Sequence, residues 1–256
     1  MWRPDLMVSC LTPTTPVTAR PSKQQTFEMA GVAPGRRILD LGCGAGADAI
    51  AMARQLGGAG EIVGVDWSPE RVVEARRRAE GTGLPVRFEV ADPTALPFPD
   101  NSFDGGRAEG LFQHLSHPED ALAELVRVSR PGAPVVVTDP DYGTSILDLD
   151  DRTTAGKVQA FMAGLPVNPW SGRRLPGMFR RAGLTDILVH VDFLPFNLVM
   201  LKEEMRLPEA LAAMACQELI TAAEARSLMA DLERRAREGT LFGGTFIFTV
   251  AGHKQV

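Results

Sequence analysis

The sequence has 256 residues, 45% of them hydrophobic and 23% charged, an ordinary globular balance that supports a core without disulfides or a structural metal. A formal net charge of −5, with no Lys/Arg cluster interleaved with aromatics, argues against a nucleic-acid partner. Cys10, Cys43 and Cys216 are odd in number and far apart, which excludes a disulfide framework and the usual zinc spacings. The apolar stretch over residues 6–11 is too short for a secretory leader or a membrane span. One domain over residues 1–256 is expected, cytoplasmic, monomeric or homodimeric, with no metal, nucleic acid or membrane as partner.

Residues 1–35 read as a loosely packed arm, with Pro4, Pro13, Pro16 and Pro21, and a short helix near 22–30 that stops at Gly31. An apolar strand over 36–41 follows, then a helix over 47–56 and a strand over 61–66. The next helix opens with Ser68 as N-cap, Pro69 in its first position and Glu70 in its first turn, and ends at Gly81. Its Arg76-Arg77-Arg78 run reads as a solvated face. Strands are expected at 86–92 and 103–109, the second diluted by Gly105 and Gly106. A helix over 118–130 stops at Pro131-Gly132, and the run 134–139 has the strongest β pattern of the chain. Such alternation implies a parallel sheet. Beyond Asp139 it breaks down: helices are expected near 147–165, 175–182, 202–215 and 222–238, and strands at 185–191 and 245–251.

The chemistry-bearing motif is Leu39-Asp40-Leu41-Gly42-Cys43-Gly44-Ala45-Gly46, at the tip of the first of these strands and the mouth of a helix. Glycines there permit positive φ and let a ligand approach the backbone, while the helix start offers free N–H groups. Dinucleotide-binding folds use a similar loop, so the glycines alone do not choose between ligands. Three carboxylates at the ends of successive strands do. Asp40 is placed to order an ammonium group, directly or through water; Asp66 to accept two ribose hydroxyl protons; and Asp92, followed by Pro93, to receive an adenine amino group. The set describes a nucleoside with an amino-acid tail. A nicotinamide oxidoreductase would want a pyrophosphate cradle and leaves Asp40 and Asp92 unexplained.

With these motifs the chain resembles class I S-adenosylmethionine-dependent methyltransferases, in the branch of ubiquinone/menaquinone-pathway and natural-product small-molecule methyltransferases. The resemblance is carried by residues 38–46, 63–66, 90–92, Leu96-Pro97-Phe98-Pro99-Asp100-Asn101-Ser102-Phe103-Asp104, and Glu124-Leu125-Val126-Arg127-Val128-Ser129-Arg130-Pro131-Gly132. It implies a Rossmann-like α/β fold: a seven-stranded, mostly parallel sheet flanked by helices, its last strand antiparallel beside the fifth, with a small helical cap. Residues 36–140 would form the cofactor half and 141–256 the substrate half. It also implies that Gly42, Cys43, Gly44 and Gly46 hug the methionine portion of S-adenosylmethionine, that Trp67 lies against adenine, and that Ala91, Asp92 and Pro93 read the adenine edge. Glu109 would open the segment that faces the sulfonium. The product would be S-adenosylhomocysteine.

Methyl transfer is an in-line displacement, so the protein mainly aligns the nucleophile and excludes water. A phenol or alcohol acceptor also needs a base, for which His114 is the candidate; the alternative is that His114 only holds its loop. Gln113 either orients the acceptor or holds the cofactor. Asp139-Pro140-Asp141-Tyr142 superficially resembles the Asp-Pro-Pro-Tyr motif of nucleic-acid amino-methyltransferases, but follows the fifth strand and not the fourth. Tyr142, the chain's single tyrosine, either faces the acceptor or sits in an ordinary turn, and Trp170 is a candidate for the cavity rim. A methyltransferase fold can also host a non-methylating reaction such as cyclisation, or a non-catalytic partner.

Overall fold

The computed structural model describes the backbone of residues 17–18 and residues 22–256 in full. The expectations for the proline-rich arm and the 6–11 stretch lie outside the described residues. In chain order the strands are β1 (Val17–Thr18), β2 (Arg37–Leu41), β3 (Glu61–Asp66), β4 (Val86–Val90), β5 (Gly105–Glu109), β6 (Pro134–Leu147), β7 (Thr185–Pro195) and β8 (Gly243–His253). The helices are α1 (Lys23–Met29), α2 (Ala47–Gln55), α3 (Pro69–Ala79), α4 (Pro118–Val128), α5 (Arg152–Ala163), α6 (Ser171–Arg181), α7 (Leu207–Cys216) and α8 (Ala222–Glu238). A 3-10 turn covers Phe112–His114 and a π turn covers Met200–Glu204.

The sheet runs β1-β7-β8-β6-β5-β2-β3-β4. Strands β2 to β6 pair in parallel, and β8 enters antiparallel between β6 and β7. This is the expected seven-stranded Rossmann-like arrangement, with the two-residue β1 added in parallel on the β7 edge. Strands β2, β3 and β5 are buried along most of their length because helices cover both faces. On one face Phe27, Met52, Val72 and Ala75 of α1, α2 and α3 pack with Ile38 and Ile62. On the other, Leu122 and Leu125 of α4 and Leu175, Met178 and Phe179 of α6 pack with Leu39, Val63 and Val135. The glycines that weaken the β5 pattern have a packing cause. A Cβ at Gly105 would fall 2.0 Å from the Ala30 carbonyl oxygen, and one at Gly106 2.6 Å from Leu125.

Strand β6 continues well beyond Asp139, where the sequence suggested a possible turn. Pairing with β5 ends at Thr138, so Pro140 lies on an edge that asks for no N–H donor there, while β8 still pairs with the other side. The extension delivers the chain to a separate helical layer. Its core joins Ala155 and Val158 of α5, Leu211 and Met214 of α7, and Leu228 and Leu232 of α8. The helix expected over 202–215 is two pieces: Arg206 takes the left-handed conformation at φ 51° and Pro208 enters the first turn of α7.

Candidate cofactor and acceptor site

The glycine loop lies where β2 ends and α2 begins. Gly42, Gly44 and Gly46 have φ of 76°, 53° and 79°, which favours glycine. Gly46 is also fixed by packing, since a Cβ there would meet the Phe88 ring at 2.7 Å and Ala75 at 2.9 Å. At Gly44 a Cβ would meet only the Arg71 guanidinium, at 3.4 Å, so this part of the loop is open to a ligand. The start of α2 has no capping side chain. Burial pushes the Cys43 thiol up, and the nearby Asp40 and Asp66 charges add to this, so the thiol stays protonated.

Asp66 braces the loop. Its carboxylate accepts the N–H of Gly44 at 2.9 Å and of Ser68 at 3.0 Å, while the Val65 carbonyl accepts the N–H groups of Gly42 and Cys43. Each carboxylate oxygen keeps further acceptor capacity. Trp67 is 69% exposed beside it. Ala91 donates its N–H to the Asp66 carbonyl; Asp92 is exposed and accepts from the Thr94 N–H and hydroxyl, which hold its carboxyl below the usual range; Pro93 is buried.

Asp40 is only 2% exposed, behind the loop, and meets Arg107 at 3.0 Å. Arg107 is itself 2% exposed and is the centre of an ionic network that the sequence did not reveal. It pairs with Asp48 at 2.9 Å and with Glu109, and its guanidinium lies 5.2 Å from the Phe27 ring centre. Lys23, from α1, pairs with Asp48 at 2.6 Å and Glu109 at 3.1 Å. The second Asp40 oxygen, Oδ2, has no hydrogen-bond partner. Burial raises the Asp40 carboxyl to about 6 despite the Arg107 charge. An open glycine cradle, a strand-end carboxylate with spare acceptor capacity and an acid-rich network fit a cationic nucleoside better than a pyrophosphate.

Next to this loop lies a cavity of about 420 Å³. Glu109, Gly110, Gln113 and His114 line it at the end of β5 and the 3-10 turn; Pro140, Tyr142, Thr245 and Ile247 line its sheet side; Met162, Phe196, Met200 and Met205 line its helical side. Gln113 is turned inward, donating to the Gly110 carbonyl at 3.0 Å. His114 is exposed at the mouth; partial burial and the Arg71 charge lower its pKa, so it is neutral at pH 7. Burial, with Asp139 close by, raises the Tyr142 phenol, which makes it a hydrogen-bond donor near neutral pH. Trp170 does not line this cavity. It packs by Gly143, with the Arg173 and Arg174 guanidinium groups 5.7 and 5.6 Å from its ring.

Behind the cavity wall, Asp139 is fully buried. Ser171 and the Phe112 and Gln113 N–H groups lie near its carboxylate, but none meets hydrogen-bond geometry, and burial raises it to about 7. Its neighbour Asp141, equally buried, is held by Arg173 and by the Gly143 N–H.

Residues 38–132 match the methyltransferase-domain family. The sequence is 38% identical over 144 residues to the demethylmenaquinone methyltransferase of Thermus thermophilus, covering 56% of this chain and 65% of that one. Among solved structures, the YcgJ protein of Bacillus subtilis superposes with a TM-score of 0.66 at 21% identity, covering 91% of this chain and 98% of the other. The [4+2]-cyclase SpnF superposes with a TM-score of 0.57 at 26% identity, covering 91% and 80%. Residues 38–132 thus carry a methyltransferase domain, and over this stretch the chain is similar to class I S-adenosylmethionine-dependent methyltransferases. The relatives include quinone-pathway methyltransferases. It spans between 38% and 65% of the length of the first curated relatives it matches. No helix among the described residues is long and apolar enough to cross a membrane.

Proposed function

We propose that the chain transfers the methyl group of S-adenosylmethionine to an O, N or C atom of a small, largely apolar acceptor, a quinone-like compound or a secondary metabolite, in the cytoplasm. The supporting observation is the 420 Å³ cavity, lined by methionine and aromatic side chains, which shares Glu109 with the ionic network behind the glycine loop. Adaptable thioether side chains around an apolar space suit a flat or greasy ligand. The chain acts as one unit, with residues 36–140 holding the cofactor and 141–256 enclosing the acceptor.

When bound, the cofactor supplies a methyl group made electrophilic by its sulfonium. In this assignment the backbone at Gly42, Cys43, Gly44 and Gly46 lies along the methionine portion and Asp66 accepts from the ribose. Trp67 covers the adenine, whose edge Ala91, Asp92 and Pro93 read. Glu109 faces the ammonium end, with Asp40 acting behind it through Arg107. The cap helices exclude water. Gln113 holds the 3-10 turn against Gly110, so that neutral His114 faces the acceptor and takes the proton of a phenol or alcohol. Tyr142 donates to the acceptor, whereas Trp170 braces the β6 extension at Gly143.

Calorimetry with S-adenosylmethionine, S-adenosylhomocysteine and NADH tests the cofactor; binding of NADH alone would remove the proposal. Incubation with apolar phenols and quinols then reads activity as a mass gain of one methyl with formation of S-adenosylhomocysteine. The likeness to SpnF favours a cyclisation as the second function. An acceptor converted with no gain of mass, and cofactor recovered intact, would favour the cyclisation.

A further inference from the structure

Asp139 of β6 is fully buried behind the wall of the acceptor cavity, and neither of its carboxyl oxygens has a hydrogen-bond partner. Three donors from two other segments face it: the N–H groups of Phe112 and Gln113, at the start of the 3-10 turn, and the Ser171 hydroxyl at the start of α6, itself buried and unpartnered. The first N–H groups of such a turn find no acceptor within it. Gln113 is gripped on its other sides, since its carbonyl accepts the Asn168 N–H at 2.9 Å and its side chain donates to the Gly110 carbonyl at 3.0 Å. Among the described residues no cation pairs with Asp139. Glu109 at the end of β5 raises its carboxyl, the Tyr142 phenol lies further along β6, and Asp141 is taken up by Arg173 of α6. Arg174 of α6 donates to the Asn168 side chain, His114 sits at the far end of the turn, and β8 sets Phe248 opposite Asp139. A buried acid without a partner is costly, and an apolar side chain of similar volume would suit the place better. What Asp139 supplies, and a leucine would not, is an acceptor oxygen beneath the open end of the turn.

We propose that Asp139 is a positioning residue, the buried anchor onto which the 3-10 turn closes, and that through this turn it sets Gln113 and His114 against the acceptor; this deepens the function proposed above and rests on it. A carboxyl keeps an acceptor oxygen in both protonation states. The turn is therefore held whether or not Asp139 is ionised, and ionisation draws the three donors in more strongly. His114 follows Gln113 directly, so the depth at which its imbealded ring sits at the cavity mouth is set by the same anchor.

Nuclear magnetic resonance on the full chain tests this without an acceptor. In the wild type the Phe112 and Gln113 amide protons should shift together as Asp139 ionises, with a midpoint at about 7, and this transition should vanish in Asp139→Asn and Asp139→Leu. His114, held below its ordinary pKa by partial burial and Arg71, should keep its low midpoint in Asp139→Asn, which retains an acceptor oxygen. In Asp139→Leu the midpoint should rise to the ordinary imidazole range as the turn loosens and the ring gains water. Exchange of the two amides should be roughly tenfold faster in Asp139→Leu, the size of one hydrogen bond. A melting temperature for Asp139→Leu at or above wild type at pH 8 shows that the fold is kept; should that variant not fold, the wild type and Asp139→Asn decide. Wild-type amides that do not titrate near 7, or a His114 midpoint equal in wild type and Asp139→Leu, overturn the inference while leaving the cofactor in place. Failure of S-adenosylmethionine to bind the wild type removes the proposed function, and the catalytic use of the turn with it, whatever the amides do.

Discussion

Replacing Asp66 by alanine tests the brace of the glycine loop and the ribose assignment together. The substitution strips the Gly44 and Ser68 N–H groups of their acceptor at a position 6% exposed. Leaving a buried donor without a partner costs about 1–3 kcal/mol, and partial access of loop groups to water brings the pair to roughly 2–3 kcal/mol. In a chain of this length, that lowers the melting temperature by about 5–10 °C. Two ribose hydrogen bonds to a charged acceptor are worth roughly 1.5–3 kcal/mol each, so affinity for S-adenosylmethionine should fall by at least about 100-fold. Scanning calorimetry and titration calorimetry on the same preparation separate the effects. Asp66→Asn, which keeps one carbonyl acceptor, should fall between wild type and alanine in both. A lowered melting temperature with unchanged affinity would refute the ribose role, and an unchanged melting temperature would refute the brace.

Gly46→Ala should be strongly destabilising, because φ of 79° is combined with a Cβ only 2.7 Å from the Phe88 ring; about 1–2 kcal/mol comes from the backbone alone. A denaturant midpoint equal to wild type would contradict this. Asp139 is an acid raised by burial from 3.8 to about 7, so the folded chain holds its proton where the unfolded chain has released it. Its contribution to stability is therefore intact below about pH 4 and is lost as the pH rises from there through about 7. Asp139→Asn, with no carboxylate to ionise, should melt above wild type at pH 8, and the gap should narrow steadily on acidification and close only at about pH 4; a gap independent of pH would refute the burial argument. For His114, held below its ordinary pKa by burial and Arg71, kcat/KM with a phenolic acceptor should fall only on acidification past the usual imidazole range. His114→Gln should lower kcat far more than cofactor affinity, and an equal fall in both would assign the residue to the loop.

The glycine loop and the strands around it were readable from the sequence because their signals are local. Gly42, Gly44 and Gly46 need positive φ within one short loop, and Asp40 and Asp66 lie in the last residues of apolar strands while Asp92 follows one by two residues. Ser68 and Pro69 open α3 as expected, with the Ser68 hydroxyl accepting the Arg71 N–H. Arg107 was hidden for the converse reason. Apart from Glu109 in its own strand, its partners Asp40, Asp48 and Phe27 come from three other elements, and it sits in a strand whose pattern Gly105 and Gly106 interrupt to admit Ala30 and Leu125. Of the two readings left open for Asp-Pro-Asp-Tyr, the ordinary turn did not form, since a proline ends a strand only where its missing N–H is wanted. Arg206 is a break that no residue type announces, apart from Pro208 two positions on.

The helical layer of α5, α7 and α8 has a hydrophobic core of its own, and it reaches the sheet mainly through the extended ends of β6, β7 and β8. Such a layer can exchange its amide hydrogens as a cooperative unit while the central strands stay protected. Its sequence is also free to drift under a packing constraint separate from that of the glycine loop. The family match stops at residue 132, before this layer begins. On the function proposed above, a lineage could therefore retune its acceptor by rewriting the roof of the cavity, with the foundations around the glycine loop left as they were.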